Sequence, residues 1–566
     1  MWAVLSPVWA WPFRRGELRA SVIRRSAGIE ALAGQVGSRL RAALLALIVT
    51  ALGACSTLPP GSWYSKSVSK ALTDPQTTTL GRAFVEEQRA HDPDSAFRII
   101  PTGADGFLLR MQMVKAAERT IDLQYFVFQG DNTGRLLTGA VLHAADRGVR
   151  VRILIDDGET EDGDEQITLL EAHPLIEIRF FNPFAYRGHA KLLRAVEFAF
   201  NAARLDYRMH NKLLVVDNAI ALIGGRNIGD AYFQIDPEGQ FADDDVFTVG
   251  PIVARLSATF DEFWSSPLSI PVVALSGAAP TPTALGEHRK ELKDDDRQLK
   301  TEGLDYVTRV ASGEPFESLV SGRLPLVWAH VVLVCDSPDK KSVENGDMVG
   351  RLMRRKVAEV MSAVREELLM VTPYLIPGSE GMQLITDLRR RNVRIRVITN
   401  SLESSTVLLA QSGYMRYRQP LLASGVELYE IRSMLGNTRG SGQTVTISRF
   451  GNYSLHAKLF VFDRKKVFIG SMNFDQRSLH LNTEIGLIID SPVLAQQVAA
   501  RFEAMVKPVN AYELFVRVPL AGAAPSLGWR TEEDGKTVEY EREPARSAWQ
   551  RFKAETLSLM PLDREL

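Results

Sequence analysis

Cysteine is nearly absent from this chain of 566 residues: Cys55 and Cys335 are its only two. That excludes a disulfide framework and a cysteine metal site. Neither sign of charge prevails, with 67 Lys and Arg against 68 Asp and Glu. Residues 1–54 hold seven Arg and two Glu, so the remainder carries 60 basic and 66 acidic residues. The basic excess of a nucleic-acid binder is missing, so no nucleic-acid partner is expected, although a local cationic pocket stays open. No apolar run reaches the roughly 20 residues that span a bilayer. What is present, 45% apolar and 24% charged residues, is the composition of a globular protein. The length calls for two domains or two fused half-domains.

The two cysteines sit in different settings. Cys335 ends the apolar run Val331 to Cys335 and reads as a buried small hydrophobe. Cys55 follows Arg39, Arg41, the run Ala42 to Leu52, and then Gly53-Ala54. A positive start, a short apolar stretch and small residues mark a secretory signal. With cysteine next, the segment resembles a bacterial lipobox, which implies a lipidated Cys55 as mature N-terminus, periplasm-facing in a bacterial envelope. Residues 1–35 are too long and Arg-rich for such a signal, so translation is expected to start later, near Val36. A peptide from residues 1–35 in the primary product would refute this.

The pattern His-x-Lys-x4-Asp-x6-Gly-(Gly/Ser)-x-Asn occurs twice. One copy is His210, Lys212, Asp217, Gly224, Gly225 and Asn227; the other is His456, Lys458, Asp463, Gly470, Ser471 and Asn473. Around each copy, strand-like and helix-like segments recur in the same order, which predicts an α/β fold of two similar halves. The expected division is 1–54 extension and signal, 55–95 N-terminal segment, 96–270 first half, 271–325 linker, 326–510 second half, and 511–566 C-terminal hairpin and helix. The linker is predicted to hold one solvated helix within Glu287–Lys300. A hairpin is predicted over Gly528–Tyr540, turning at Asp534-Gly535. An amphipathic helix should follow from Ala545 to Met560, with interfacial contact through Leu557 to Leu562 as one reading and ordinary packing as the other.

Each His-x-Lys lies in an apolar, strand-like run, and period-2 alternation sets the two side chains on one face. Asp217 and Asp463 lie seven residues past the His, on the opposite face, and read as structural partners. Gly225 and Ser471 permit close backbone approach to a substrate, and Asn227 and Asn473 offer amide hydrogens there. Two imidazoles, two ammonium groups and two amides facing one anion suit a phosphodiester. The lysines offset its charge, one neutral imidazole attacks phosphorus, and the other protonates the leaving alcohol. Neither copy carries a metal-ligand cluster, and no metal or cofactor is expected.

These residues resemble the phospholipase D superfamily over about 95–510. Arg208 to Lys212, Gly224 to Asp230, Gly470 to Ser478 and Thr372-Pro373-Tyr374 look like bacterial cardiolipin synthases of the short-motif kind. The resemblance implies two half-domains, each a sheet flanked by helices, related by a pseudo-twofold with the active site at their interface. It makes His210 the usual nucleophile and His456 the acid, an order that sequence symmetry does not establish. Glu484 matches an acid that orients a catalytic His. Its counterpart is Asp243, in a run of three aspartates that leaves the choice open. Gly225 stands where Ser is more usual. The implied activity is a phosphatidyl transfer on membrane phospholipids, phosphatidylglycerol foremost, with a hydrolytic phosphodiesterase as the alternative and a non-catalytic lipid scaffold as a third reading.

Overall fold

The computed structural model describes residues 58–158, 164–188, 190–235, 239–277, 279–301, 314–340, 353–435, 453–517 and 525–560. Cys55, the expected signal and Val36 lie outside the described residues. No helix among the described residues is long and apolar enough to cross a membrane.

The apolar runs form two sheets with the same strand order. In the first half the neighbours are Ser95–Ile100, Asp245–Val249, Ile220–Gly224, Leu213–Val216, Thr120–Tyr125, Arg150–Asp156, Ile176–Phe181 and Ser269–Pro271. In the second they are Val327–Cys335, Ile485–Asp490, Lys466–Gly470, Leu459–Phe462, Glu367–Val371, Arg394–Asn400, Glu427–Ile431 and Ala511–Arg517. Each sheet holds three parallel strands, which need crossover connections. The helices Asn132–Asp146 and Gly378–Arg390 supply the first of these in each half. The strands Leu213–Val216 and Leu459–Phe462, at the centre of each sheet, are buried throughout, which explains their unbroken apolar runs.

The halves join edge to edge, Ser95–Phe97 pairing antiparallel with Val327–Ala329, so one sheet runs through both. One apolar cluster covers the outer face of each half. A third is shared, with Leu256, Phe260 and Trp264 from one helix packed with Leu494, Val498 and Phe502 from its counterpart. This is the two-half α/β arrangement that the repeat predicted.

Several local expectations change. The charged stretch Glu287–Lys300 is part of the helix Pro282–Thr301 and is not free in solvent. Leu285 and Leu292 are buried in the first-half core, and Arg289 clamps Asp146 at 2.6 and 2.7 Å. The stretch before His210, for which the sequence predicted no element, contains the helix Lys191–Leu205. Cys335, expected to be buried, is half-buried at the end of the strand Val327–Cys335. The C-terminal hairpin Ser526–Glu533 and Lys536–Tyr540 extends the second sheet through Ala511–Arg517. It turns where expected, with Asp534 and Gly535 at φ 48° and 73°. The last helix is Ala548–Ser558, and residues 561–566 lie outside the described ones.

Candidate active site between the halves

Both motifs begin immediately before a strand, not within one. His210 and Lys212 precede Leu213–Val216, and His456 and Lys458 precede Leu459–Phe462. The backbone there is used to join the halves. His210 N donates to Thr483 O at 2.9 Å, and His456 N donates to Ala242 O at 2.8 Å. Met209 bridges Thr483, and Tyr453–Leu455 pairs parallel with Gln240–Ala242. The two crossings are equivalent, as a pseudo-twofold requires. Each lysine folds back on its histidine: Lys212 Nζ donates to His210 O at 2.6 Å, and Lys458 Nζ to His456 O.

These crossings deliver each acid to the histidine of the other half. Glu484 lies at 2.9 and 3.1 Å from His210 Nδ1, and Asp243 Oδ2 at 2.5 Å from His456 Nδ1. A carboxylate on Nδ1 fixes the proton there and leaves Nε2 as the reacting nitrogen. Of the three adjacent aspartates, then, Asp243 faces the site. Asp244 pairs with Arg501 at 2.6 Å, and Asp245 with Arg110 and Arg226 at 2.8 and 3.1 Å.

The small residues frame these acids. Ser471 Oγ donates to Glu484 Oε2 at 2.5 Å. At Gly225 an added Cβ would lie 2.1 Å from Asp243 Oδ1, so the missing side chain makes room for the carboxylate. Asn227 is committed locally: its Nδ2 donates to Tyr232 Oη at 2.9 Å and its Oδ1 accepts from Val127 N at 3.2 Å. The Asn473 side-chain oxygen is buried without a partner among the described residues.

Asp217 and Asp463 lie outside this cluster, though strand parity is not the reason. Each starts a hairpin turn at positive φ, 52° and 50°. Asp217 accepts from the backbone N–H groups of Glu118, Arg119 and Thr120 at 2.8–2.9 Å. Asp463 accepts from those of Arg365, Glu366 and Glu367. They tie the hairpin to the start of the neighbouring strand.

The family model described as cardiolipin synthase, PLD-like domain, matches residues 111–264 and again 357–506. The chain belongs to the phospholipase D superfamily. It is 37% identical to cardiolipin synthase C of Escherichia coli over 467 residues, 81% of this chain and 93% of that one. It is 23% identical to the major cardiolipin synthase ClsA of Bacillus subtilis, covering 75% of this chain and 72% of that one. A solved phosphatidylserine synthase from Haemophilus influenzae Rd KW20 is 13% identical with a TM-score of 0.49, over 76% of this chain and 92% of that one.

In this phospholipase D-family enzyme both histidines and both lysines of the repeated motif are buried, which disfavours their charged forms. Burial, with Lys212 and Lys458 nearby, holds the His210 imidazole well below its ordinary range. Burial and Lys458 push His456 down to about 3, against the pull of Asp243. Burial also lowers Lys212 far below a normal ammonium and Lys458 to about 8. A phosphodiester entering here would relieve all four shifts. The two acids diverge. Burial lifts Glu484 to about 7, against Lys212 and the Ser471 and Ser478 hydroxyls. Burial acts on Asp243 too, but His456, Lys458 and Arg226 outweigh it and hold this carboxylate well below the usual range. Among the described residues no group of three His, Cys, Asp or Glu side chains is placed to hold a metal.

Sequence reasoning missed the supports. Ser478 Oγ donates to Glu484 Oε1 at 2.8 Å, and Asp336 Oδ2 accepts from Glu484 N at 3.1 Å while pairing with buried Lys340 at 3.0 Å. Phe126 lies edge-on to His210, and Tyr232 edge-on to His456. Asp156 accepts from Met209 N at 2.7 Å. Asp156 and Asp336 each stand just past the end of a strand or at it, a position that could have drawn notice.

Proposed function

We propose that the protein is a cardiolipin synthase-like phosphatidyltransferase, anchored through a lipidated Cys55 and facing the periplasm. It cleaves a membrane phospholipid at its distal phosphodiester and passes the phosphatidyl group to phosphatidylglycerol. His210 Nε2 attacks phosphorus, the bond to the leaving alcohol's oxygen breaks, and His456 Nε2–H gives that oxygen its proton. The acceptor hydroxyl then loses its proton to His456 and attacks the phosphohistidine, releasing His210. Lys212, Lys458 and the amide of Asn473 balance the transition-state charge, while Asn227 stays on Tyr232 and Val127.

The observation that carries this reading is the crossed bracing of two buried imidazoles by Glu484 and Asp243. Asp243, held ionised, favours a protonated His456 more than Glu484 favours a protonated His210, which supports His456 as the acid. The kinship to cardiolipin synthases supports the substrate class.

Mass spectrometry of lipids from a host expressing the protein tests it. New cardiolipin that disappears with His456→Ala supports transfer; phosphatidic acid alone would show hydrolysis and refute it. Trapping labelled phosphate on His210 would establish the intermediate, and retained function in His210→Ala would restore the scaffold reading.

A further inference from the structure

The helix Lys191–Leu205 is inside out. Apart from Leu205, buried as its last residue, its least exposed side chains recur at helical spacing, Arg194, Glu197, Asn201 and Arg204, and these four are polar. Its outward face carries Leu192, Leu193, Val196 and Phe200, from 76% exposed at Leu192 to 44% at Val196. A surface helix of a globular protein normally does the reverse.

The polar face is held by specific bonds. Arg194 Nη2 donates to Asp157 O, and its guanidinium lies over the Phe184 ring at 4.3 Å. Glu197 accepts from Ala185 N and Tyr186 N at 2.7 and 2.8 Å. Arg204 Nη1 donates to Asn182 Oδ1 at 2.8 Å and Pro183 O at 2.9 Å. The orientation is therefore built in, and the apolar face is left for something outside the described fold.

Its place says what that is. Asp157 and Asn182 follow the carboxyl ends of the parallel strands Arg150–Asp156 and Ile176–Phe181. In α/β sheets, that is the end where ligands bind. Asp206, next after the helix, accepts from Arg477 of the second half at 2.7 Å, and His210 follows four residues on. The corresponding ends in the second half also expose apolar side chains: Val407 and Leu409 after Arg394–Asn400, and Met434 after Glu427–Ile431. A bilayer seated here would hold the phospholipid substrate at the same end of the sheet as His210, whereas a second protein copy would shield that end from it.

We infer that Lys191–Leu205 is an interfacial helix that seats its apolar face among the acyl chains of a phospholipid bilayer and sets the active-site mouth against the headgroups. This rests on the reading of membrane phospholipids as substrate. The patch, not Cys55, then determines which face of the enzyme meets the lipid.

Two measurements on the full-length chain test it. The first compares Leu192→Glu/Phe200→Glu with the parent on phosphatidylglycerol vesicles and on short-chain phosphatidylglycerol dispersed below micelle formation. Each buried side chain of this size favours membrane contact by about tenfold or more, so vesicle turnover should fall at least about tenfold while dispersed-lipid turnover holds within about twofold. The second places a nitroxide at Val196→Cys in a Cys55→Ser/Cys335→Ser background with phosphatidylethanolamine–phosphatidylglycerol vesicles. The label should become accessible to oxygen and shielded from a water-soluble nickel complex. Equal loss on both lipid forms would make the face a packing element and overturn the inference. A label buried in a dimer that Val196→Glu dissociates would make the occupant a second copy, which also overturns it. No turnover by the parent in either form would reject the phospholipid reading, while the nitroxide still decides docking.

Discussion

The two halves share strand order, motif and crossing, yet they hold their acids differently. In the second half Ser471 and Ser478 hydroxyls donate to the long carboxylate of Glu484. In the first half Gly225 gives up its side chain, and the shorter Asp243 occupies that space, taking a bond from Asp244 N at 2.8 Å. A Ser–Glu pair and a Gly–Asp pair thus solve the same placement problem with different proton affinities. The hydroxyl-braced acid is lifted to about 7, and the other stays ionised. In the proposed reaction, this departure from strict repetition is what divides the labour between two otherwise equal imidazoles.

The most forceful way to break this comparison is to remove the imidazoles in turn. Either His→Ala variant should lose about 10⁴-fold or more in transfer, as when one member of a catalytic unit is deleted. Their intermediates should differ. With labelled lipid bearing a good leaving group, His456→Ala should still accumulate phosphoenzyme, and His210→Ala should not. The opposite result would reverse the assigned roles.

Next in size is the effect of making the halves alike. Gly225→Ser places a Cβ 2.1 Å from Asp243 Oδ1, so the carboxylate must leave His456. Transfer should fall by about 10²-fold, the scale of a misplaced catalytic group. Ser471→Gly removes one donor from Glu484 and one acceptor from Ile485 N, and should cost about tenfold or less. Steady-state rates on the same vesicles compare them, and equal losses would mean that Asp243 is not seated by the missing side chain.

The acids should then separate in their pH behaviour. Glu484 has a folded value of about 7 against an ordinary 4.5, so the folded state binds more protons between them. Stability therefore falls as pH rises through that window, by roughly 3 kcal/mol at most. Asp243 is depressed, so its contribution is present above about pH 4 and lost as pH falls through its lower folded value. Glu484→Gln should accordingly raise the melting temperature at pH 8 and leave it nearly unchanged at pH 5, and Asp243→Asn should lower it at pH 8. For activity, kcat/KM should drop below about pH 7 as Glu484 protonates and above about pH 8 as Lys458 loses its proton. Glu484→Gln should erase the acid limb, and a limb that persists would belong to another group.

How much of this was legible beforehand follows from what each signal depends on. Periodicity and repetition are local or one-dimensional, so the two α/β halves and the His, Lys and Asn positions could be read directly. The crossing of the acids could not. It arises from Met209 meeting Thr483 and Leu455 meeting Ala242, contacts between residues more than 200 positions apart. Parity assigned Asp217 and Asp463 to structure, but the argument does not apply to them, since a turn residue belongs to neither strand face. The helix Lys191–Leu205 escaped notice because its surroundings invert the usual relation of apolar face to core.

The smallest expected effect concerns those same aspartates, and it tests whether the halves differ away from the reaction. Asp217 and Asp463 each accept three backbone N–H donors, but Asp217 is fully buried while Asp463 is half-exposed. Asn tolerates the left-handed backbone that both occupy, so Asp→Asn leaves the turn intact and removes one acceptor oxygen. At Asp217 water cannot replace it, and the loss should be about 2 kcal/mol. At Asp463 solvent can reach the freed donors, and about 1 kcal/mol or less is expected. Thermal melts should rank Asp217→Asn below Asp463→Asn, with transfer per folded molecule unchanged in both. Activity lost without a fall in melting temperature would place these acids in the chemistry after all.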